Sequence, residues 1–248
     1  MKNQYFGDQR DFLKYDLLAD LAEHTPGVSR LTIIPMLTPH DGTREGNVVA
    51  YDAGRRRPDI FHFLRYCLAR NDRDIRNLRT LFQGRDYAFH CHRDGLHYSH
   101  EARLEYFASV PDRSLLDAVV FVDPDTGIET GTVPYMQGAG ISRYLFWPDI
   151  TSLFGRMSES SVLVVYQHLQ RNASLVVGDM QGKSLAMCGH LRVPAVLLCD
   201  DGDVAYLITS RAKRVWDHLA RSLPIYAETH GLRFHSVSND LAIEEGDG

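Results

Sequence analysis

Three carboxylates fall within seven residues of the segment Val119–Glu129 (VVFVDPDTGIE): Asp123, Asp125 and Glu129. An aspartate that ends a buried parallel strand lies at the mouth of the sheet crevice. There it can accept hydrogen bonds from an amine or a ribose, or ligate a hard cation such as Mg²⁺ or Mn²⁺. Strand-end aspartates also serve as turn caps and loop acids are commonly solvated, so D-x-D-x-x-x-E is not a metal signature by itself. Asp94-Gly95 offers a second carboxylate, beside a glycine that permits close backbone approach, although Asp-Gly is also ordinary turn chemistry. His40-Asp41-Gly42 follows the first strand, where a nucleotide-binding fold carries its glycine-rich turn; G-x-G-x-x-G is absent. His90-Cys91-His92 and Cys188-Gly189-His190 have zinc-binding residue types. Strand alternation sets Cys91 opposite His90 and His92, so buried thiols and partly exposed imidazoles are expected instead. Tyr166-Gln167-His168 leaves another strand at the same sheet edge as Asp123 and could wall a pocket or donate a proton. G-x-S-x-G, H-E-x-x-H and P-loop patterns are absent, which argues against the common hydrolase, zincin and NTPase readings.

The elements that must position these residues alternate. Leu13, Leu17 and Leu21 predict a helix over Asp8–His24, stopped by Thr25-Pro26-Gly27. Strands are expected at Leu31–Leu37, Tyr87–Cys91, Leu116–Val122, Ser161–Tyr166, Val193–Cys199, Val204–Thr209 and Leu232–Val237, with a short one at Asn47–Asp52. Leu116–Val122 is the most apolar and β-branched, as suits a strand buried on both faces. A long helix is expected over Asp59–Phe82, with Asn71-Asp72 as a possible break; its period puts Arg65, Arg76 and Arg79 on one face. Further helices are expected near Ser99–Ser109, Asp149–Met157 and Arg211–Thr229, with a helical or irregular stretch reaching Leu191. Asp200-Asp201-Gly202-Asp203 signals a hairpin. The fold class is therefore α/β, a Rossmann-like, mostly parallel sheet with a C-terminal antiparallel hairpin at its edge. It is expected as one domain over 1–238, with a helical basic insertion at 55–85 and an acidic tail at 239–248.

Composition bounds the function. With 248 residues, 44% hydrophobic and 24% charged, the chain is long enough for a core without staples and is neither fibrous nor disordered. Net charge is −5, yet residues 55–85 hold nine arginines against three acids, about +6 against about −11 for the rest. That balance excludes a general nucleic-acid coat and leaves a local nucleic-acid contact through Arg65, Arg76 and Arg79. No apolar run approaches membrane-spanning length, and no apolar leader precedes the first helix. Four cysteines without a framework fit a reducing cytoplasm, and no membrane partner is expected.

The motifs also resemble a family. Gly7-Asp8-Gln9-Arg10-Asp11-Phe12-Leu13-Lys14-Tyr15 is similar to the N-terminal G-N-x-x-D-V-L-K-H stretch of bacterial large-subunit ribosomal RNA adenine-N6 methyltransferases. His40-Asp41-Gly42 resembles their His-Ala-Gly turn, and Asp94-Gly95 resembles their Asp-Gly. Val119–Glu129 resembles their strand ending in Asp-Pro-Pro-Tyr-Glu, and Val164–Arg171 falls where they have a strand ending in an aromatic. The resemblance covers about residues 5–210. It implies a class I fold using S-adenosylmethionine, with Tyr15, His40, Asp94 and Gly95 near the methyl donor and Asp123 as acceptor for the target amine. Asp125 and Thr126 stand where the family has Pro and Tyr, so the aromatic that stacks on a flipped base is missing.

The reading is a methyltransferase-like protein acting on or binding nucleic acid. Asp123 is expected to be required, and Asp125 to decide the chemistry. The alternatives are a metal-dependent nuclease or phosphohydrolase using Asp123, Asp125 and Glu129, and a non-catalytic binding module on the same fold.

Overall fold

A computed structural model describes residues 1–40, 42, 46, 48–130, 138–169 and 173–239 of the chain. Asp41, Asn47, residues 131–137, Arg171 and the tail from 240 on lie outside them. The first helix, α1 (Gln9–His24), starts at Asp8, whose side chain accepts from the Asp11 amide. It leads into β1 (Arg30–Pro35), then α2 (Pro58–Ala69), α3 (Leu78–Leu81), β2 (Ala88–Cys91), α4 (Arg103–Ala108) and β3 (Ala118–Asp123). A small two-stranded ladder of β4 (Gly127–Ile128) and β5 (Tyr144–Leu145) precedes α5 (Trp147–Arg156) and β6 (Val162–His168). The chain closes with α6 (Ala173–Leu191), β7 (Ala195–Asp200), β8 (Val204–Ser210), α7 (Lys213–His230) and β9 (Arg233–Ser238).

Seven strands form one sheet in the order β2-β1-β3-β6-β8-β7-β9. β2, β1, β3 and β6 run parallel; β8 pairs antiparallel with β6 and β7, and β9 antiparallel with β7. The Rossmann-like α/β expectation holds. The hairpin is placed differently from expectation: β8 inserts between β6 and β7, and β9 forms the edge. Its turn is built as the sequence suggests, with Asp201 Oδ1 accepting from the amides of Asp203 and Val204, both at 2.9 Å, and Gly202 at φ 98°.

Period-2 alternation splits the strands between two cores. Leu31, Ile33, Val119, Phe121, Val164 and Tyr206 face α1, α2, α3 and α7. Ile34, Val120, Val122, Leu163, Val165 and Leu207 face α4, α5 and α6. Ile60, Leu64, Cys67, Ile75 and Leu78 of the arginine-rich insertion belong to the first core, so its apolar stripe packs on the same sheet.

The possible break at Asn71-Asp72 is realised, and one local expectation, the short strand, is corrected. The long helix is divided: α2 ends at Ala69, Asn71 takes φ 53°, and a 3-10 turn over Ile75–Asn77, capped by the Asp74 side chain, leads into α3. Residues 48–52 form no strand. They lie along the start of α1 instead, with Gln9 donating to the Val48 carbonyl at 3.0 Å and Tyr51 to the Gly7 carbonyl at 2.7 Å. Among the described residues no helix is long and apolar enough to cross a membrane, and all four cysteines are buried and unpaired.

Parallel strands leave their carboxyl ends on one side, and the chain turns opposite ways after β1 and after β3. That makes the mouth between them the topological switch point. Gly127 helps hold the neighbouring loop there. At φ 138°, a Cβ on it would run into the Gln167 side-chain amide, and Gln167 Oε1 accepts from the Ile128 amide at 2.8 Å. Gly127→Ala is expected to displace Gln167 and destabilise the protein by about 1–3 kcal/mol, read as a lower midpoint in urea unfolding.

Candidate functional site

The first turns of α1 carry Asp8, Asp11 and Lys14, three residues apart and therefore on one face. That face is turned inward, onto the end of β3. Lys14 Nζ donates to Asp11 Oδ1 and to Asp123 Oδ2, both at 2.8 Å, with all three side chains buried. Tyr15 donates to Asp11 Oδ2 at 3.1 Å, and the Gly7 amide reaches the same oxygen at 3.3 Å. Burial opposes the Lys14 charge, but the Asp11 and Asp123 carboxylates outweigh it and hold the ammonium well above the usual lysine range. The Tyr166 ring lies 5.1 Å from Nζ.

The switch-point mouth is filled by residues 1 and 2. The Met1 amino group donates to the Met36 carbonyl at 3.1 Å and lies 3.4 Å from the Asp123 carbonyl; the Thr38 amide donates to the Met1 carbonyl at 2.8 Å. Lys2 Nζ pairs with Asp125 Oδ2 at 2.9 Å, Arg143 Nε pairs with the same oxygen at 2.8 Å, and the Met1 amine is 3.7 Å from Oδ1. Burial is the largest single influence on Asp125 and pushes it up, but the three cations together hold its carboxyl below the usual range.

Beside this filled mouth lies an open cleft of about 950 Å³. It borders the start of α1 (Asp8, Arg10), the loop after β3 (Thr126), the end of β6 (His168) and the β7–β8 turn (Asp203). Arg143 and Arg56 reach it from the flanks. Arg10 pairs with Asp203 at 2.9 Å, and both are well exposed. Burial, reinforced by Arg10, pushes the His168 imidazole down to about 4, so it is neutral at physiological pH.

The sequence-predicted residues are only partly brought together. Asp123 and Asp125 share the loop at the switch point, as expected. Asp94 and Gly95 sit at the end of β2, but Arg79 closes on Asp94 at 2.6 and 3.0 Å. His40 is exposed, its Nδ1 accepting from the Gly42 amide at 2.8 Å. Tyr15 is wholly buried and packs edge-on to Phe82. As the chain is folded, Arg79 pairs with Asp94, Lys14 with Asp123, and the Met1 amine lies against the Asp123 carbonyl.

Glu129 turns away from the two aspartates, its Oε1 accepting from the Trp147 amide at 2.9 Å. Among the described residues, no three His, Cys, Asp or Glu side chains gather in a way that could hold a metal. Asp123 and Asp125 are each neutralised by lysine, which leaves a metal carboxylate trio unbuilt. Arg65 lies on α2 and donates to the Val49 carbonyl, whereas Arg76 and Arg79 lie beyond the break, paired with Asp74 and Asp94. The expected face of three arginines on one helix therefore does not form.

Lys14, Asp11, Asp8, Lys2 and Arg143 stand at the site without being marked as site residues by the motifs of the sequence. The first three had a legible signal, a D-x-x-D-x-x-K spacing at the start of an amphipathic helix. Lys2 and Arg143 had none, because their partner Asp125 is distant in sequence.

Two stability effects follow. Lys14→Met leaves two buried carboxylates unpaired and is expected to cost about 3–5 kcal/mol in denaturant unfolding. Asp8 behaves oppositely. Burial, then the Asp11 charge, pushes its carboxyl up to about 7. A raised carboxyl stays protonated in the fold while the unfolded chain ionises, so stability falls as pH climbs from the ordinary carboxylate range towards 7. Asp8→Asn keeps a helix cap and is expected to raise the melting temperature at about pH 8 while changing little at about pH 4.

No protein-family model, no curated protein and no solved structure matches the chain, and the geometry of the mouth and the cleft alone bears on its function.

Proposed function

We propose that the protein takes a nucleotide of a nucleic acid into the cleft beside Thr126, on a fold of the methyltransferase type. The observation that supports this most is the cleft itself. It opens at the carboxyl edge of the sheet, where such folds bind ligands, and arginines 10, 56 and 143 border it. Guanidinium groups suit phosphate because their planar donors match its oxygens. The Arg10–Asp203 pair is exposed on both sides and worth little, so a phosphate can replace Asp203. Thr126, in place of a bulky aromatic, leaves room at the loop. The chain carries −5 overall, so recognition is local to the cleft.

Methyl transfer from S-adenosylmethionine is the second reading, and one observation favours it. The mouth over Asp123 and Asp125 holds a cation, the Lys2 ammonium, and a sulfonium donor is also a cation. Such a donor enters only where residues 1 and 2 withdraw. Its apparent affinity is reduced by the fraction of chains in which they have done so.

A short fluorescent oligonucleotide is expected to bind with an affinity that falls linearly with the logarithm of salt, and Arg10→Ala and Arg143→Ala are each expected to flatten that slope by about one unit. Salt-independent binding, or none at low salt, overturns the first reading. Calorimetry with S-adenosylmethionine addresses the second. Little binding to the wild type and clear binding to Lys2→Ala supports it; no binding to either protein removes it.

A further inference from the structure

We propose that Asp8 is the proton-carrying group of the cleft, and that its free Oδ2 donates a hydrogen bond to an anionic oxygen of a phosphodiester held by Arg10 and Arg143. The inference rests on the nucleotide reading of the cleft and adds a residue and a proton to it.

The geometry divides the two oxygens of Asp8. Oδ1 is fixed, accepting from the Asp11 amide at 2.9 Å as the cap of α1. Oδ2 carries no hydrogen bond among the described residues, although Asp8 is only 5% exposed and borders the cleft. Oδ2 keeps its contact with the cleft, but a carboxylate so nearly buried and beside the Asp11 carboxylate is costly when ionised, and the cost disappears when the group is protonated. A protonated carboxyl has one O–H to give, and Arg10, Arg56 and Arg143, which outnumber Asp201 and Asp203 on the rest of the boundary, attract an anion to receive it.

The charged surroundings favour the neutral form. Burial comes first and the Asp11 carboxylate second; the Asp11 amide, Lys14 and Arg10 act the other way, and the balance stands at about 7. Lys14 is committed to Asp11 and Asp123, and Arg10 to Asp203. Across the cleft, Arg143 is committed to Asp125 and Arg56 to the His230 carbonyl. Asp201 accepts from its own turn. Tyr51, beside α1, is pushed far above its usual range, first by burial and then by Asp11 and Asp8. The two histidines of the cleft are held down, chiefly by burial: His168 to about 4, and His230 below its usual value. Among these groups Asp8 is the one placed to change charge near neutral pH.

The test uses the dinucleoside monophosphate TpT, whose diester does not titrate near neutral pH, with calorimetry on the full chain at about pH 6, 7 and 8. Binding by wild type is expected to weaken as pH rises through about 7, by about fivefold between pH 7 and 8, with close to one proton taken up per TpT at pH 8 when two buffers of different ionisation heat are compared. Asp8→Asn, whose amide can donate without a proton, is expected to bind equally at all three pH values and to take up none. Asparagine is itself a good helix cap, so this variant keeps α1. TpT binding by wild type without pH dependence overturns the inference while leaving the nucleotide reading intact. The same dependence in Asp8→Asn also overturns it, by assigning the proton elsewhere. No TpT binding by either protein at any pH overturns both.

Discussion

The ammonium of Lys14, out of water and shared between Asp11 and Asp123, is the contact on which the described architecture turns. A lone buried cation is strongly unfavourable, and so is a buried pair of carboxylates. Each is tolerable only with the others at hydrogen-bonding distance, so the group fixes where α1 lies on the sheet. It also sets the carboxylate of the central parallel strand, which in turn determines what stands at the switch point.

Around that contact the charges alternate along a path. Asp8 borders the cleft, Asp11 and Lys14 run behind it, Asp123 ends β3, Lys2 and Asp125 close the mouth, and Arg143 returns to the cleft. The path starts and ends on the same open surface. A ligand that draws Arg143 away from Asp125 removes one of the cations holding that carboxylate and shifts the load onto Lys2. The cleft and the filled mouth are therefore not independent, and the coupling is electrostatic, through pairs in contact rather than through the sheet.

Much of this fold is legible in the residues. β3 is a continuous run of β-branched and aromatic side chains because both of its faces are covered, and the turn after β7 needs the acids and glycine that mark it. Asp123 stands at the crevice mouth for the same reason that Leu116–Val122 reads as a strand. What the residues do not display is pairing over long separations. Asp125 looks like a free loop acid until Lys2 and Arg143 are brought to it, and Asp94 looks available until Arg79 covers it. The arginines of residues 55–85 share a helical period on paper, but Asn71 in a left-handed conformation breaks the register that would have aligned them. Hydrophobic period is a local property and survives in the fold; the use of each charge depends on partners that topology supplies.

The two partners of Lys14 come from very different distances along the chain, Asp11 from three residues away and Asp123 from 109. At a synthesis rate of about 5–20 residues per second, α1 emerges from the ribosome roughly 5–20 s before the strand that completes its charge balance. Through that interval Asp11 alone neutralises Lys14, in an i,i+3 pair that helical geometry forms without tertiary help. The nascent helix thus carries its own temporary counter-ion until Asp123 is available to take the second half of the ammonium.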